Sequence, residues 1–377
     1  MSPTPVTFTS PVLPTSYSWE ATNEQVAERY GVPIESIVRF DLNTSPTPPA
    51  LVDRLLAAGQ FDAPLSEYPP SDYRRLTEAA AARYGVATEE LLVGAGADEI
   101  LDLVAKAFLT ENARAVLPTP TYAMYRVLTE QRGAEVVAVP RRPATEGWAL
   151  DVDAVRAAAR GAAVVWLCSP NNPTGLAEPD GVIETLLGGL ASDSAEPPIV
   201  VLDEAYAEFV GSTLLPLRER YPRLIIVRTA SKAYALAGLR VGFAIAKPEV
   251  IARMNPYRPP GSVSTVSVTI VTEALLDPTI LQGNLARVEH ERDRLATTLG
   301  EAGWSVGPSV TNFLLVDFGS PERAAATAEG LLTLGLVPRT FPAGHPLAAY
   351  LRLTVRDRHE NDRLIEAARE LRPEVPA

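Results

Sequence analysis

Three short apolar runs narrow most sharply what this chain can fold into: AVVWLC at 163–168, PIVVLD at 198–203 and LIIVRT at 224–229. Runs this apolar, without a polar residue at every second position, read as strands covered on both faces. From about Asp72 onward such runs alternate with amphipathic helical stretches, for example 151–160, and this alternation predicts an α/β layer built on a mainly parallel sheet. The pattern changes after Met254. There NPYRPPGSVS interrupts it before a long, Arg/Glu-rich helical stretch at about 265–300. Beyond that stretch, short strands at 312–318 and 350–355 alternate with helices, as in a smaller α+β lobe. The chain has 377 residues, more than a single core usually serves, so two lobes are expected. The expected division is an arm at 1–45 joined to the smaller lobe or to a dimer contact, a large lobe at 46–255 and a smaller lobe at 256–377.

Charge and composition then exclude classes of partner. With 46 acidic against 34 basic residues the net charge is -12, which repels nucleic acid and anionic membranes and favours a small-molecule substrate. The single cysteine, Cys168, can form no internal disulfide, and His290, His345 and His359 show no metal-ligand spacing. The N-terminus has neither the positive flank nor the apolar stretch of a signal peptide, and no later segment reaches membrane-spanning length, so a cytoplasmic protein is expected. The prolines before Trp19 suggest an extended arm, either a frayed end or a segment laid across a partner subunit.

The chain contains only three lysines, Lys106, Lys232 and Lys247. Lys106 lies in the helical stretch EILDLVAKAFL and Lys247 precedes Pro248 at a strand-to-helix junction, both ordinary places for a surface amine. Lys232 sits in RTASKAYALAGLRVG, where an apolar strand runs into a small-residue loop rich in hydroxyls and glycine. An amine in that setting loses hydration and basicity, which lets it condense with an aldehyde at neutral pH. Pyridoxal phosphate is the aldehyde that suits it, and that cofactor needs a carboxylate for its ring nitrogen, an aromatic face and a phosphate cradle.

Candidates for each are present. Asp203 closes an apolar strand at the edge where open α/β sheets gather ligand groups, although a helix N-cap would use the same residue. Tyr206, three residues on, could donate to the ring oxygen, as could Asn172 of the rigid turn SPNNPTG. In LLVGAGADEI, Gly94 and Gly96 precede a helix beginning near Ala97, a start whose free amides suit phosphate. Thr229, Ser231 and Arg240 could complete that cradle, and Tyr122 of PTPTYAMY could stack on the ring.

Together GADE at 96–99, CSPNNPTG at 168–175, DEAY at 203–206 and RTASKAYALAGLRVG at 228–242 resemble fold-type I, aspartate-aminotransferase-like enzymes, and among them the histidinol-phosphate branch. The resemblance runs from about Asn43 to Leu371. It implies a homodimer with shared active sites. Lys232 would be the Schiff-base lysine, Asp203 the ring-nitrogen partner, Asn172 and Tyr206 the ring-oxygen contacts and Tyr122 the stacking ring. The phosphate would be held by the Ala97 and Asp98 amides, Thr229, Ser231, Arg240, and Tyr68 of EYPPSDY from the neighbouring subunit. Arg352, Arg339, Asn43 and Tyr257 would meet the substrate. The activity implied is transfer of an amino group from histidinol phosphate to 2-oxoglutarate; an aromatic aminotransferase or a threonine-phosphate decarboxylase would use the same scaffold. The chain departs from the family pattern twice, with Ser45 in LNTSPTPP where asparagine is usual, and Arg356 in TVRD where glycine commonly follows the valine.

Overall fold

The computed structural model describes residues 15–371; the proline-rich stretch through Pro14 lies outside them. Its strands are β1 (Val38–Arg39), β2 (Leu91–Gly94), β3 (Arg114–Thr119), β4 (Glu135–Pro140), β5 (Val164–Cys168), β6 (Ile199–Asp203), β7 (Leu224–Thr229), β8 (Gly242–Ile245), β9 (Ser305–Val306), β10 (Phe313–Asp317), β11 (Leu336–Val337) and β12 (Tyr350–Thr354). Seven of them make one sheet in the order β2–β8–β7–β6–β5–β3–β4. Only β8 runs against its neighbours.

The three apolar runs are β5, β6 and β7, adjacent at the centre of that sheet and buried at every position. Successive side chains point to opposite faces. Val165, Leu167, Val200 and Leu202 enter a core with Val268, Ile270 and Val271, whereas Trp166, Val201 and Val227 enter another with Ile100, Leu101 and Val104. Both faces are covered, so the sequence of these strands needs no polar alternation.

The helical stretch expected at 265–300 is two helices, Thr265–Leu276 and Pro278–Glu301. Pro278 has no N–H to continue the first helix but suits the first turn of the second. Asp277 caps that turn by accepting from the Thr279 amide at 3.0 Å. The break also corrects the expected lobe boundary. Val263, Val268, Ile270, Val271 and Leu281 belong to the core of the seven-stranded sheet, whereas Leu295 and Leu299 belong to a third core. Packing therefore changes over within Pro278–Glu301 rather than at residue 255.

That third core lies under an antiparallel sheet, β12–β10–β9, and includes Val38 and Phe40. β1 pairs in parallel with β11, which ties the N-terminal segment to the C-terminal lobe. Among the described residues no group of His, Cys, Asp and Glu is arranged to hold a metal ion, and no helix is long and apolar enough to cross a membrane.

Candidate active site

The carboxyl ends of the central strands meet one cavity of about 680 Å³. Parallel pairing sets Cys168 beside Asp203, and Asp203 beside Val227, while β7 ends at Thr229 and leads into Ser231 and Lys232. These ends and the start of helix Gly96–Phe108 form the floor. Arg339, Arg352, residues 41–44, Tyr17 and Trp19 form the roof.

Lys232 Nζ donates to the Asn43 carbonyl at 3.1 Å. Burial, helped by the charges of Arg352 and Arg240, lowers its pKa to about 8 against the opposing pull of Asp98 and Asp203. Asn43 is held in the left-handed region, at φ 52°. Its amide donates to Thr354 Oγ1 (2.9 Å), its carbonyl also accepts from Asn312 Nδ2 (3.0 Å), and its own Nδ2 donates to Tyr206 Oη (3.0 Å). One loop residue thus joins the lysine to the roof and to Tyr206.

Asp203 ends β6, beside the strand that leads into Lys232. Its Oδ2 accepts from Tyr125 Oη at 2.8 Å and its Oδ1 from the Ala205 amide at 3.0 Å. Burial raises its pKa to about 6, which the two donors and Lys232 oppose.

At the helix start two glycines are hemmed in, one by backbone and one by the Arg240 guanidinium. A Cβ on Gly242 would meet the Gly96 carbonyl carbon at 2.4 Å, and one on Gly96 would meet Arg240 Nη2 at 2.5 Å. The backbone contact requires glycine at 242, and the left-handed φ of 83° favours it at 96. Arg240 Nη2 and Tyr122 Oη both donate to Asp98, at 2.9 Å each, which fixes the guanidinium and the aromatic ring around the same turn. The Thr229 hydroxyl lies 2.9 Å from Ser231 Oγ. Arg240, Ser231 and the Ala97 and Asp98 positions all line the cavity, a donor set that matches a phosphate.

Arg352 is buried in the roof. Its Nη1 donates to Asn172 Oδ1 at 2.6 Å, its Nη2 to the Asp41 carbonyl, and its Nε has no partner. Burial lowers its pKa. Arg339 is bridged to Arg352 through the backbone, donates from Nη1 to the Ser18 carbonyl (2.8 Å) and lies over the Tyr17 ring at 5.3 Å.

Thirteen of the residues singled out in the sequence thus converge: Asn43, Ala97, Asp98, Tyr122, Asn172, Asp203, Tyr206, Thr229, Ser231, Lys232, Arg240, Arg339 and Arg352. Tyr68 and Tyr257 do not. Tyr68 is 90% exposed, and Tyr257, expected to meet the substrate, stands half-exposed on the single turn Asn255–Tyr257, outside the cavity lining of its own chain. Sequence reasoning missed Tyr17, Trp19, Asp41 and Tyr125. Tyr125 follows Tyr122 at helical spacing, the one available signal; the arm around Tyr17 carries no periodicity at all.

The model of the family described as aminotransferase class I and II matches residues 37–367. The chain belongs to that family. Among relatives, a histidinol-phosphate aminotransferase of Roseiflexus castenholzii is 36% identical over 92% of this chain and 93% of its own length. One of Thermococcus gammatolerans is 35% identical, covering 89% and 92%. The crystal structure of histidinol-phosphate aminotransferase from Sinorhizobium meliloti in complex with pyridoxal-5'-phosphate superposes with a TM-score of 0.82 at 25% identity, over 94% of this aminotransferase and 95% of that chain. The α/β architecture and the enzyme class expected from the motifs are those of these relatives.

Proposed function

We propose that this aminotransferase binds pyridoxal phosphate on the floor of the cavity and transfers the amino group of histidinol phosphate to 2-oxoglutarate. The observation that carries the reading is the single cavity in which Lys232, Asp203, the helix start and two arginines face one another. The residues fit the cofactor part by part. A lysine with its pKa lowered to about 8 suits an aldehyde, a buried carboxylate suits a ring nitrogen, and the cradle of Gly96, Ser231 and Arg240 suits a phosphate.

The cofactor, when bound, supplies an aldehyde for amino groups and a ring that accepts electron density from the substrate carbon. The chain's own groups do the rest. Lys232 Nζ, partly neutral near pH 7, would take the proton from the substrate carbon that bears the amino group and hand it to the cofactor carbon that carried the aldehyde, ending neutral again. With the cofactor bound, Asp203 would supply negative charge to its ring nitrogen, Tyr206 and Asn172 would hold its ring oxygen, and Tyr122 would cover its ring. Arg352 and Arg339, joined through one backbone bridge, give the roof two guanidiniums. That pair suits a substrate ending in phosphate in one half of the cycle and in carboxylate in the other.

Tyr68, exposed on its own chain, is the residue we assign to the neighbouring subunit's phosphate cradle, with a homodimer as the assembly and the cytoplasm as its location. The two lobes are those divided within Pro278–Glu301. The test is spectroscopic. Histidinol phosphate added without an oxo acid converts the cofactor's visible band to that of the amine form, and phenylalanine does so far less. Conversion by phenylalanine alone would keep the chemistry and replace the substrate; no cofactor band at all would overturn the reading.

A further inference from the structure

Beneath the cavity floor, Tyr125 reaches the carboxylate assigned above to the cofactor's ring nitrogen. We infer that Tyr125 is a positioning residue for transamination: its hydroxyl, donating to Asp203 Oδ2 at 2.8 Å, aims that carboxylate and keeps the proton on the cofactor's ring nitrogen rather than on Asp203. The inference rests on the reading of Asp203 given above.

The ring that carries the hydroxyl has little freedom, and the hydroxyl's other neighbour is the buried Cys168 thiol. Tyr125 is fully buried in helix Met124–Gln131. Its ring lies parallel to Trp166, with centroids 5.5 Å apart and planes at 5°, and meets Tyr122 edge-on at 5.7 Å and 87°. Trp166 Nε1 donates to Thr129 Oγ1 (3.1 Å), and Thr129 Oγ1 donates to the Tyr125 carbonyl (2.7 Å), closing a clamp around the ring. A phenylalanine would fill the same space, so packing alone does not call for the oxygen. A buried hydroxyl costs stability unless it is bonded, and this one is bonded to Asp203.

The surroundings of Asp203 leave the task to Tyr125. Its Oδ1 is held by the Ala205 amide. Of the titratable groups facing it, Lys232 favours the charged carboxylate and Asp98 opposes it. Cys168, across the strand pair, is pushed up to about 12 by burial, and Tyr206 is pushed up likewise, so both are neutral near pH 7. Among the described residues Tyr125 supplies the side-chain hydrogen bond to this carboxylate, and a donor to the charged form makes a carboxylate a weaker base. Without that donor Asp203 competes better for the shared proton, and the ring loses positive charge.

The experiment compares the native holoenzyme with Tyr125→Phe, which keeps the ring stack, and Thr129→Val, which loosens the clamp but leaves the phenol. The readout is the pH at which the visible absorbance of the cofactor-loaded protein changes, since the linkage at Lys232 responds to charge on the ring. In Tyr125→Phe this midpoint moves upward by about one pH unit, a tenfold change matching one hydrogen bond to a charged group. In Thr129→Val thermal stability falls and the midpoint stays in place. A folded Tyr125→Phe protein that titrates like the native one overturns the inference, as does an equal movement in both variants. A native protein that acquires no visible band overturns the cofactor reading as well, and is told apart by that absence.

Discussion

The floor and the roof of the cavity are built on different principles. The floor groups sit at the ends of strands whose register leaves no freedom: Asp203, Thr229 and Ser231 are 5% exposed or less, and Asp203 is bonded from beneath by Tyr125 and Ala205. The roof is assembled from segments far apart in sequence. Arg339 reaches Ser18, Glu20 accepts from the Thr340 amide at 2.8 Å, and Trp19 beside them is 71% exposed. On the proposed function, the chemistry that every substrate shares would be anchored in the sheet, while the surface that chooses among substrates would depend on a few contacts between an arm and the smaller lobe. The second can change without disturbing the first.

The largest test of that division is Lys232→Ala. It removes the amine from the floor and should lower turnover by about 100- to 10,000-fold with every amino donor, the range a general base accounts for. Donor-dependent loss, measured as kcat for histidinol phosphate and for phenylalanine, would show that floor and roof are not separable.

The floor should also weaken the cofactor-free protein. The carboxyl of Asp203 is raised from 3.8 to about 6 in the fold, so its stabilising contribution is complete below 3.8 and is lost as pH rises through about 6. Above that the cost reaches about 3 kcal/mol. Lys232 adds a matching cost in the other direction, since its lowered pKa removes stability as pH falls through about 8. Asp203→Asn, neutral at all pH, should therefore raise the unfolding temperature of the cofactor-free protein at about pH 8, and the gain should shrink as the pH is lowered toward about 4. A gain independent of pH in thermal denaturation would mean that the carboxylate is not the source of the strain.

The same division explains what was legible in the sequence. Strand-end residues announce themselves, because an apolar run ending in Asp203 or turning into Ser231 and Lys232 specifies both element and edge. The central strands and the floor were readable for that reason. The two departures from the family pattern were visible as departures, but not as a pair. In the fold Arg287 joins them, with Nη2 donating to Ser45 Oγ at 3.0 Å and Nη1 to the Arg356 carbonyl at 3.2 Å. Arg356 Nη1 in turn donates to the Thr44 carbonyl at 3.1 Å, beside the Asn43 that holds Lys232. No local pattern links residues 45, 287 and 356. The lobe boundary was misplaced for a related reason: Pro259, Pro260 and Gly261 punctuate the chain at a turn, whereas the real change of core occurs inside a helix, where composition does not change. Tyr17 was unreadable because its role depends on where an unpatterned arm is laid.

The smallest expected effect falls on the roof, and it is the most diagnostic. Arg339→Ala removes one guanidinium from the substrate end while leaving the Arg352 bonds to Asn172 and Asp41 in place. One charge-assisted hydrogen bond corresponds to a rise in KM of roughly 10- to 100-fold for a donor that ends in phosphate. Phenylalanine carries a shorter carboxylate at that end, within reach of Arg352, so its KM should rise less than that of the phosphate donor, and kcat should be unchanged for both, because an interaction lost equally from bound substrate and transition state alters KM alone. If kcat falls alongside, Arg339 and the arm bonded to it set the geometry at Lys232 as well as the choice of substrate. The coupling would then run through the backbone bridge to Arg352 and its bond to the Asp41 carbonyl, the same loop that delivers Asn43 to the lysine.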